Sequence, residues 1–340
     1  MKIDTQITNF DLSRVAGEAR RFEEMGFDGV WSFEANHDPF LPLGLAAQAT
    51  QRLEIGTNIA VAFARSPFAT AMVAWDLQRG SAGRFRLGLG TQVRAHVERR
   101  FSMPFDRPAA RVKDYILCLR AIWDNFQNGT KPGYEGEFYR FRLMNPFFDP
   151  GPIDSPDIPV YLAGVNPTMC RTAGEVADGF HVHPFHSVAY LKDVVRAGLD
   201  EGAKTRGKSV DDLELYAPVF AVSGETQAEE DAAAREVRRQ ISFYASTPNY
   251  RHVLDFHGYG GLGESLSQMA RRGEWKRMEA EIGDELVELF SVVAKPAALP
   301  RALRQRYAGL LGRVSLYFPI SAEEGSEKWR AFVEAFRAAA

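Results

Sequence analysis

Residues 53 to 92, LEIGTNIAVAFARSPFATAMVAWDLQRGSAGRFRLGLGTQ, hold one complete strand, crossover helix and second strand, and this alternation recurs along the chain. Strand patterns fall at MKIDTQIT, FDGVWSFE, residues 53 to 61, RFRLGLG, IPVYLAG, DGFHVHP, LELYAPVFAVSG and RVSLYFP. Helical patterns run from about Asp11 to Met25, through LAAQAT, from Ser66, from about Pro108 to Phe126, and over 167 to 176, 187 to 204 and 226 to 245. A last helix is read from Glu323 to the end. Strict alternation implies a parallel sheet covered by helices, and eight repeats suit closure into a (β/α)8 TIM barrel better than an open sheet.

In the opening unit Ser66 reads as an N-cap with Pro67 at the first helical position, and Phe68, Met72, Trp75 and Leu77 suggest the buried face. Gly80 and Gly83 mark the turn into the next strand. There Phe85, Leu87 and Leu89 alternate with Arg86, Gly88 and Gly90, so one face narrows to no side chain. That bare face is either where a flat ligand approaches the backbone or a site of close packing. In the long helix, Val112, Tyr115, Ile116, Leu119, Ile122 and Trp123 form one apolar stripe. YEGEFYRFRLMN reads as a hairpin-like excursion, and the proline-rich NPFFDPGPIDSPDIP as an irregular connector. Residues 246 to 311 form an insertion of short helices between the seventh helix and the eighth strand. It shows no shift in composition, so residues 1 to 340 are read as a single barrel domain.

A net charge of -3, with basic residues spread along the chain, gives no electrostatic case for nucleic acid or an anionic membrane. No apolar run approaches membrane-spanning length, and Met1 to Thr8 reads directly as a strand rather than a signal peptide. A cytosolic location and a small-molecule partner are the expectation. Two cysteines, Cys118 and Cys170, are too few for a disulfide framework or a cysteine metal site.

In such a barrel, function lies at the carboxyl ends of the strands. Those ends carry Glu34 to Phe40, Asn58 to Arg65, Gly90 to Arg94, Ala163 to Met169 and His181 to His186. AGVNPTM leads a strand into a helix N-terminus, whose free N–H groups favour phosphate, although a glycine turn here also has a purely steric reading. His181 and His183 share a strand face, with His186 nearby; the segment is read as a polar pocket wall and no metal is expected. His37 is either a loop-cap residue or a substrate-facing acid/base. Asp178, before Gly179, reads as a turn anchor, and Trp31, Phe33, Trp75 and Trp123 as core aromatics.

Five motifs taken in order, GFDGVWSFEANHDPF, LEIGTNIAVAFARSP, GRFRLGLGTQ, IPVYLAG and ADGFHVHPF, resemble the bacterial luciferase-like superfamily. The chain looks most like its actinobacterial branch of oxidoreductases that use the deazaflavin coenzyme F420. The resemblance implies a (β/α)8 barrel with the deazaflavin, or alternatively FMN, at the carboxyl face, usually in a homodimer. It implies an acidic residue at Glu34, but the family's histidine position reads Ala35, so His37 becomes the candidate acid/base. It implies that Asn58 and Ile59 form a bulge with a cis peptide that backs the ring. Gly90, Thr91 and Gln92 would meet the ring edge, and Ala163, Gly164, Val165, Asn166, Pro167, Thr168 and Met169 would hold the phosphate. Val93 stands near a position that is acidic in sugar-phosphate enzymes, which argues against such a substrate. Arg65 and Arg94 are candidates for the polyanionic tail.

The resulting expectation is an F420-dependent oxidoreductase passing hydride between the ring and an organic substrate. Alternatives are an FMN-dependent monooxygenase, a non-redox phosphate-binding barrel enzyme, and a ligand-binding relative without catalysis. A Schiff-base aldolase is disfavoured because Lys2, at the start of the first strand, is the only lysine near a strand end. His183, Phe185, Tyr250 and His257 are candidate substrate contacts. With Phe101, Phe105, Phe256 and Tyr259 in loops 93 to 107 and 246 to 265, they suggest an apolar or aromatic substrate.

Overall fold

The computed structural model describes residues 1–8, 11–320 and 325–339. Eight parallel strands close on themselves: β1 Lys2–Gln6, β2 Gly29–Ser32, β3 Glu54–Thr57, β4 Phe85–Gly90, β5 Val160–Gly164, β6 Gly179–Val182, β7 Glu214–Val222 and β8 Arg313–Leu316. Each pairs with the next, and β8 returns to β1 through Lys2 opposite Arg313. After β3 the chain bulges and rejoins the sheet at Ala60–Val61, beside Leu89 and Gly90 of β4.

Alternation along each strand sends every second side chain into the barrel, where they stack in layers. At the amino end Arg313 is fully buried. Its guanidinium makes a two-point pair with Asp4 (2.7 and 2.9 Å), and Nη1 reaches Glu54 and Glu214. One layer up, Trp31 lies 5.0 Å from His181 and 4.9 Å from Tyr216, with Tyr161 closing the box 5.2 Å from His181. These large rings leave no room opposite. A Cβ on Gly56 would enter the Trp31 ring, and one on Gly88 would enter His181 and the Thr57 carbonyl. Gly88 is therefore a matter of close packing, the second of the two readings of its bare face.

The helix Pro67–Gly80 starts as its sequence predicts, with Ser66 Oγ accepting the N–H of Ala69 and Pro67 in the first turn. Of the expected buried face, Trp75 and Leu77 are buried and Phe68 packs against the core, but Met72 turns outward. Thr70, Ala71, Ala74, Trp75 and Gln78 face inward while Met72 is 45 % exposed. The helix packs on the long helix Pro108–Asn128 through a Thr70–Tyr115 hydroxyl contact of 2.6 Å, and small residues allow that approach. The apolar stripe of the long helix is buried as read.

The hairpin pairs Tyr134–Glu135 with Arg140–Phe141. The helix after β6 runs without a break through Val188–Tyr190, Leu191–Arg196 and Ala197–Lys204, its middle part π-helical. The insertion contains five α-helices, Arg251–Phe256, Gly260–Arg271, Trp275–Ala280, Asp284–Phe290 and Leu299–Tyr307. It also holds a strand the sequence did not suggest, Ser291–Val293, which pairs in parallel with β7. The last helix spans Ser326–Ala338; its expected start at Glu323 lies outside the described residues. Among the described residues no helix is long and apolar enough to cross a membrane.

Candidate active site at the carboxyl face

Glu34 follows β2 and organises the β3 bulge. Its backbone N–H donates to the Ile59 carbonyl (3.1 Å), and the N–H of Asn58 donates to Ser32 (2.7 Å). The Asn58–Ile59 peptide is cis, as the sequence resemblance predicts. Beyond it, the Glu34 carboxylate accepts the N–H of Val61 at 2.7 Å and both of its oxygens take Nη1 of Arg65 (3.0 and 2.8 Å). The other arm of Arg65 binds Asp38 at 2.8 Å, while Asp38 accepts the N–H groups of Phe40 and Leu41 at the next helix. Arg65 is thus held by two carboxylates and lies 5.2 Å over the Phe40 ring.

His37 sits beside this group with Nδ1 3.0 Å from Asn36 Oδ1 and its ring edge-on to Phe33. Burial lowers its pKa, with Asp38 opposing. The Ala35 carbonyl is bonded by Arg100, which folds the loop containing helix Arg94–Arg99 across the end of β2. Arg94 is exposed, pairs with Glu98 at 2.7 Å and rests over Phe105. At the end of β4, a Cβ on Gly90 would lie 2.7 Å from Ile59 Cδ1, so this glycine seats the bulge. Thr91 bonds the Gln92 carbonyl, and Gln92 itself takes a left-handed φ of 57°.

β5 ends in the loop Ala163 to Met169. Asn166 Oδ1 accepts the N–H of Met169 (2.9 Å) and Pro167 has no N–H, which leaves the Thr168 amide unclaimed by the cap at the start of helix Pro167–Val176. A Cβ on Gly164 would come 2.5 Å from Met169 Cγ. Tyr190 donates to the Val165 carbonyl (2.9 Å), its N–H is capped by Ser187 Oγ (3.0 Å), and Ser187 contacts His257 Nε2 (2.7 Å). A chain of contacts therefore links the insertion to this loop.

The three histidines after β5 have separate surroundings. His181 is sealed in the aromatic box, and burial pushes its pKa down to about 3. His186 is buried with Nδ1 2.7 Å from the His183 carbonyl, its pKa lowered by burial to about 4. His183 is half-buried at the barrel mouth, between Tyr250 and Tyr244. Among the described residues no group of three side chains is placed to hold a metal ion.

A model of the luciferase-like monooxygenase family matches residues 2–313. The chain belongs to that family. An uncharacterised family relative from Mycobacterium tuberculosis is 46% identical over 324 residues, 95% of each chain. The 5,10-methylenetetrahydromethanopterin reductase of Archaeoglobus fulgidus is 25% identical over 280 residues, 81% of this chain and 80% of that one. The fold matches that of the coenzyme F420 dependent tetrahydromethanopterin reductase from Methanopyrus kandleri, with a TM-score of 0.77 and 22% identity over 98% and 96% of the two chains.

The family barrel brings the candidate residues together unevenly. Glu34, Asn58, Ile59, Arg65 and Gly90 form one connected group, and Ala163 to Met169 lie at the next strand end. His183, Tyr250 and His257 line the opposite side near the insertion. Phe185 is fully buried against Phe290, 4.6 Å away, so its ring belongs to the core rather than facing a substrate. Tyr244, Tyr317 and Gln240 were missed. Tyr317 follows Arg313 and Ser315 on the inward face of β8, so strand parity alone points to it; Tyr244 lies at the end of a helix with no local signal.

Proposed function

We propose that the protein is an F420-dependent oxidoreductase acting on an uncharged organic substrate at the carboxyl face of the barrel. The observation that carries this reading is the adjacency of three strand ends. The bulge at Asn58 to Val61, the narrow edge at Gly90 to Gln92 and the amide-bearing loop Ala163 to Met169 follow one another on β3, β4 and β5. That order offers backbone to a flat ring and then, one strand on, helix N-terminal amides to a phosphate on its side chain. The name of the M. kandleri relative, a coenzyme F420 dependent reductase, supports the same cofactor.

The residues fit such a group. Arg65 compensates Glu34 and Asp38, so the carboxylates at the rim do not simply repel a polyanion, and Arg94 is the exposed cation for its tail. When bound, the deazaflavin supplies or accepts the hydride. Glu34 then acts as a positioning residue: its carboxylate fixes the backbone of the bulge. His37 is retained as the candidate acid/base. His183 and Tyr250 form the substrate wall, with His257 behind them and Phe256 exposed beside it.

Assembly as a homodimer is part of this reading. Leu143, Phe147 and Phe148, two of them on one turn and the first just before it, are 79%, 88% and 63% exposed, an apolar patch that a symmetric contact would place against its own copy.

The test is titration of the purified protein with F420 and with FMN, followed by calorimetry. Tight binding of F420 with much weaker binding of FMN is expected. A higher affinity for FMN would assign the chain to the monooxygenase alternative instead.

A further inference from the structure

At the end of β6 the backbone fixes the tautomer of one imidazole. The N–H of Phe185 donates to Nδ1 of His183 at 3.1 Å, so that nitrogen carries a lone pair and the proton of the neutral ring sits on Nε2. Tyr250 lies flat against the ring, with centroids 4.3 Å apart, and Tyr244 meets it edge-on at 4.6 Å. Tyr317 donates to Gln240 Oε1 (3.2 Å), so the 2.7 Å contact between the two tyrosine hydroxyls has Tyr244 as donor. The Tyr244 proton is therefore used inside the protein. His183 Nε2 has no hydrogen-bond partner among the described residues and is not among the side-chain atoms sealed from solvent.

The charge around this ring favours its neutral form. Facing it are His186 from its own segment and the phenols of Tyr244 and Tyr250 from the helix Gln227–Ala245 and the insertion; none is a carboxylate that would hold an imidazolium. Burial and the neighbouring His186 push the His183 pKa down to about 3. A neutral donor in an aromatic wall supplies no charge to compensate an anion, and burying an uncompensated charge is costly. It suits an uncharged acceptor.

We propose that His183 is a constitutively neutral hydrogen-bond donor that holds the carbonyl or hydroxyl oxygen of an uncharged substrate through Nε2–H. The term substrate rests on the oxidoreductase reading; the donor is a property of the chain itself.

The test begins without any variant. In protein labelled with 15N-histidine, long-range proton–nitrogen spectra should show His183 with a bare Nδ1 and a protonated Nε2, unchanged between about pH 5 and 8. A proton on Nδ1, or titration within that range, overturns the proposal. Acetophenone should then shift the Nε2 resonance. H183F should weaken its binding about tenfold, H183Q should recover part of that loss, and α-methylstyrene, the same shape without the oxygen, should bind both proteins alike. No shift with acetophenone at its solubility limit, or equal binding to H183F, sinks the idea. If F420 fails to bind while these results hold, the oxidoreductase reading fails and the donor assignment stands.

Discussion

The carboxylate of Glu34 accepts the backbone N–H of Val61 at 2.7 Å, so a side chain at the end of β2 holds the segment where β3 rejoins the sheet. The same carboxylate pairs with Arg65, which bridges onward to Asp38. One nearly buried acid thus ties the loop after β2 to the segment from Val61 to Arg65 around the proposed ring site.

Replacing Glu34 by Ala leaves both the Val61 amide and one arm of Arg65 without a partner. A loss of about 2 kcal/mol of stability is expected, together with weaker F420 binding. E34Q retains an oxygen acceptor for Val61 and loses only the charge, so its stability should fall between those of the wild type and E34A. Chemical denaturation and F420 titration measure the two effects separately. Wild-type binding in E34A would show that the bulge does not depend on this carboxylate.

Gly164 offers a second handle, on the opposite part of the site. A methyl group there would sit 2.5 Å from Met169 Cγ and 2.9 Å from its Cβ, forcing either the side chain or the loop to move. G164A should therefore cost about 1 to 3 kcal/mol in packing, and about tenfold in F420 affinity if the loop is what yields. Calorimetry giving an unchanged affinity would mean that the Met169 side chain absorbs the strain and that the amides keep their places.

Much of this architecture is legible in the chain because it depends on local pattern. Eight strand-like runs and eight helical stretches predict the barrel, and SPFAT and NPTM announce capped helices without reference to anything distant. Most of the departures come from partners far away in sequence. Met72 fits an apolar stripe, but which side of its helix is buried depends on Tyr115, 43 residues on. Gly88 is explained only by His181 across the barrel, and Phe185 only by Phe290 from the insertion. Three residues at Ser291–Val293 are too few to show periodicity, so their pairing with β7 left no mark that could be read beforehand. Arg65 was legible as a cation at a strand end. That two carboxylates claim it was not.

The apolar turn at Leu143 to Phe148 gives a prediction about assembly. Asn145 shapes it by accepting the N–H groups of Phe147 and Phe148, so the two rings are presented outward on an ordered turn. F147E placed in a symmetric contact would bring two carboxylates together in an apolar surround and should convert a dimer to a monomer. Light scattering after gel filtration reports the mass directly, and a dimeric F147E would move the interface elsewhere.

The amino end of the barrel supplies the strongest expected effect on stability. Arg313 is fully buried against Asp4, which is itself 1% exposed, and against Glu54 and Glu214. Removing one member of a buried pair leaves an uncompensated charge, so R313M should lose about 3 to 5 kcal/mol. In the double variant D4L/R313M the most buried orphaned carboxylate is gone as well, and part of the loss should return. The pH dependence follows from Glu54. Burial would raise its pKa, but Arg313, with Arg86 and Lys2, outweighs that and holds it down at about 2. A carboxylate whose folded pKa lies below its unfolded value of about 4.3 contributes stability that is fully present above that value and lost as pH falls toward the folded one. The wild type should therefore lose stability between about pH 5 and 2, and R313M, lacking the cation that depresses Glu54, should lose less over the same interval. Denaturation midpoints measured across that range decide it: parallel curves for the two proteins would show that the acid sensitivity comes from carboxylates elsewhere.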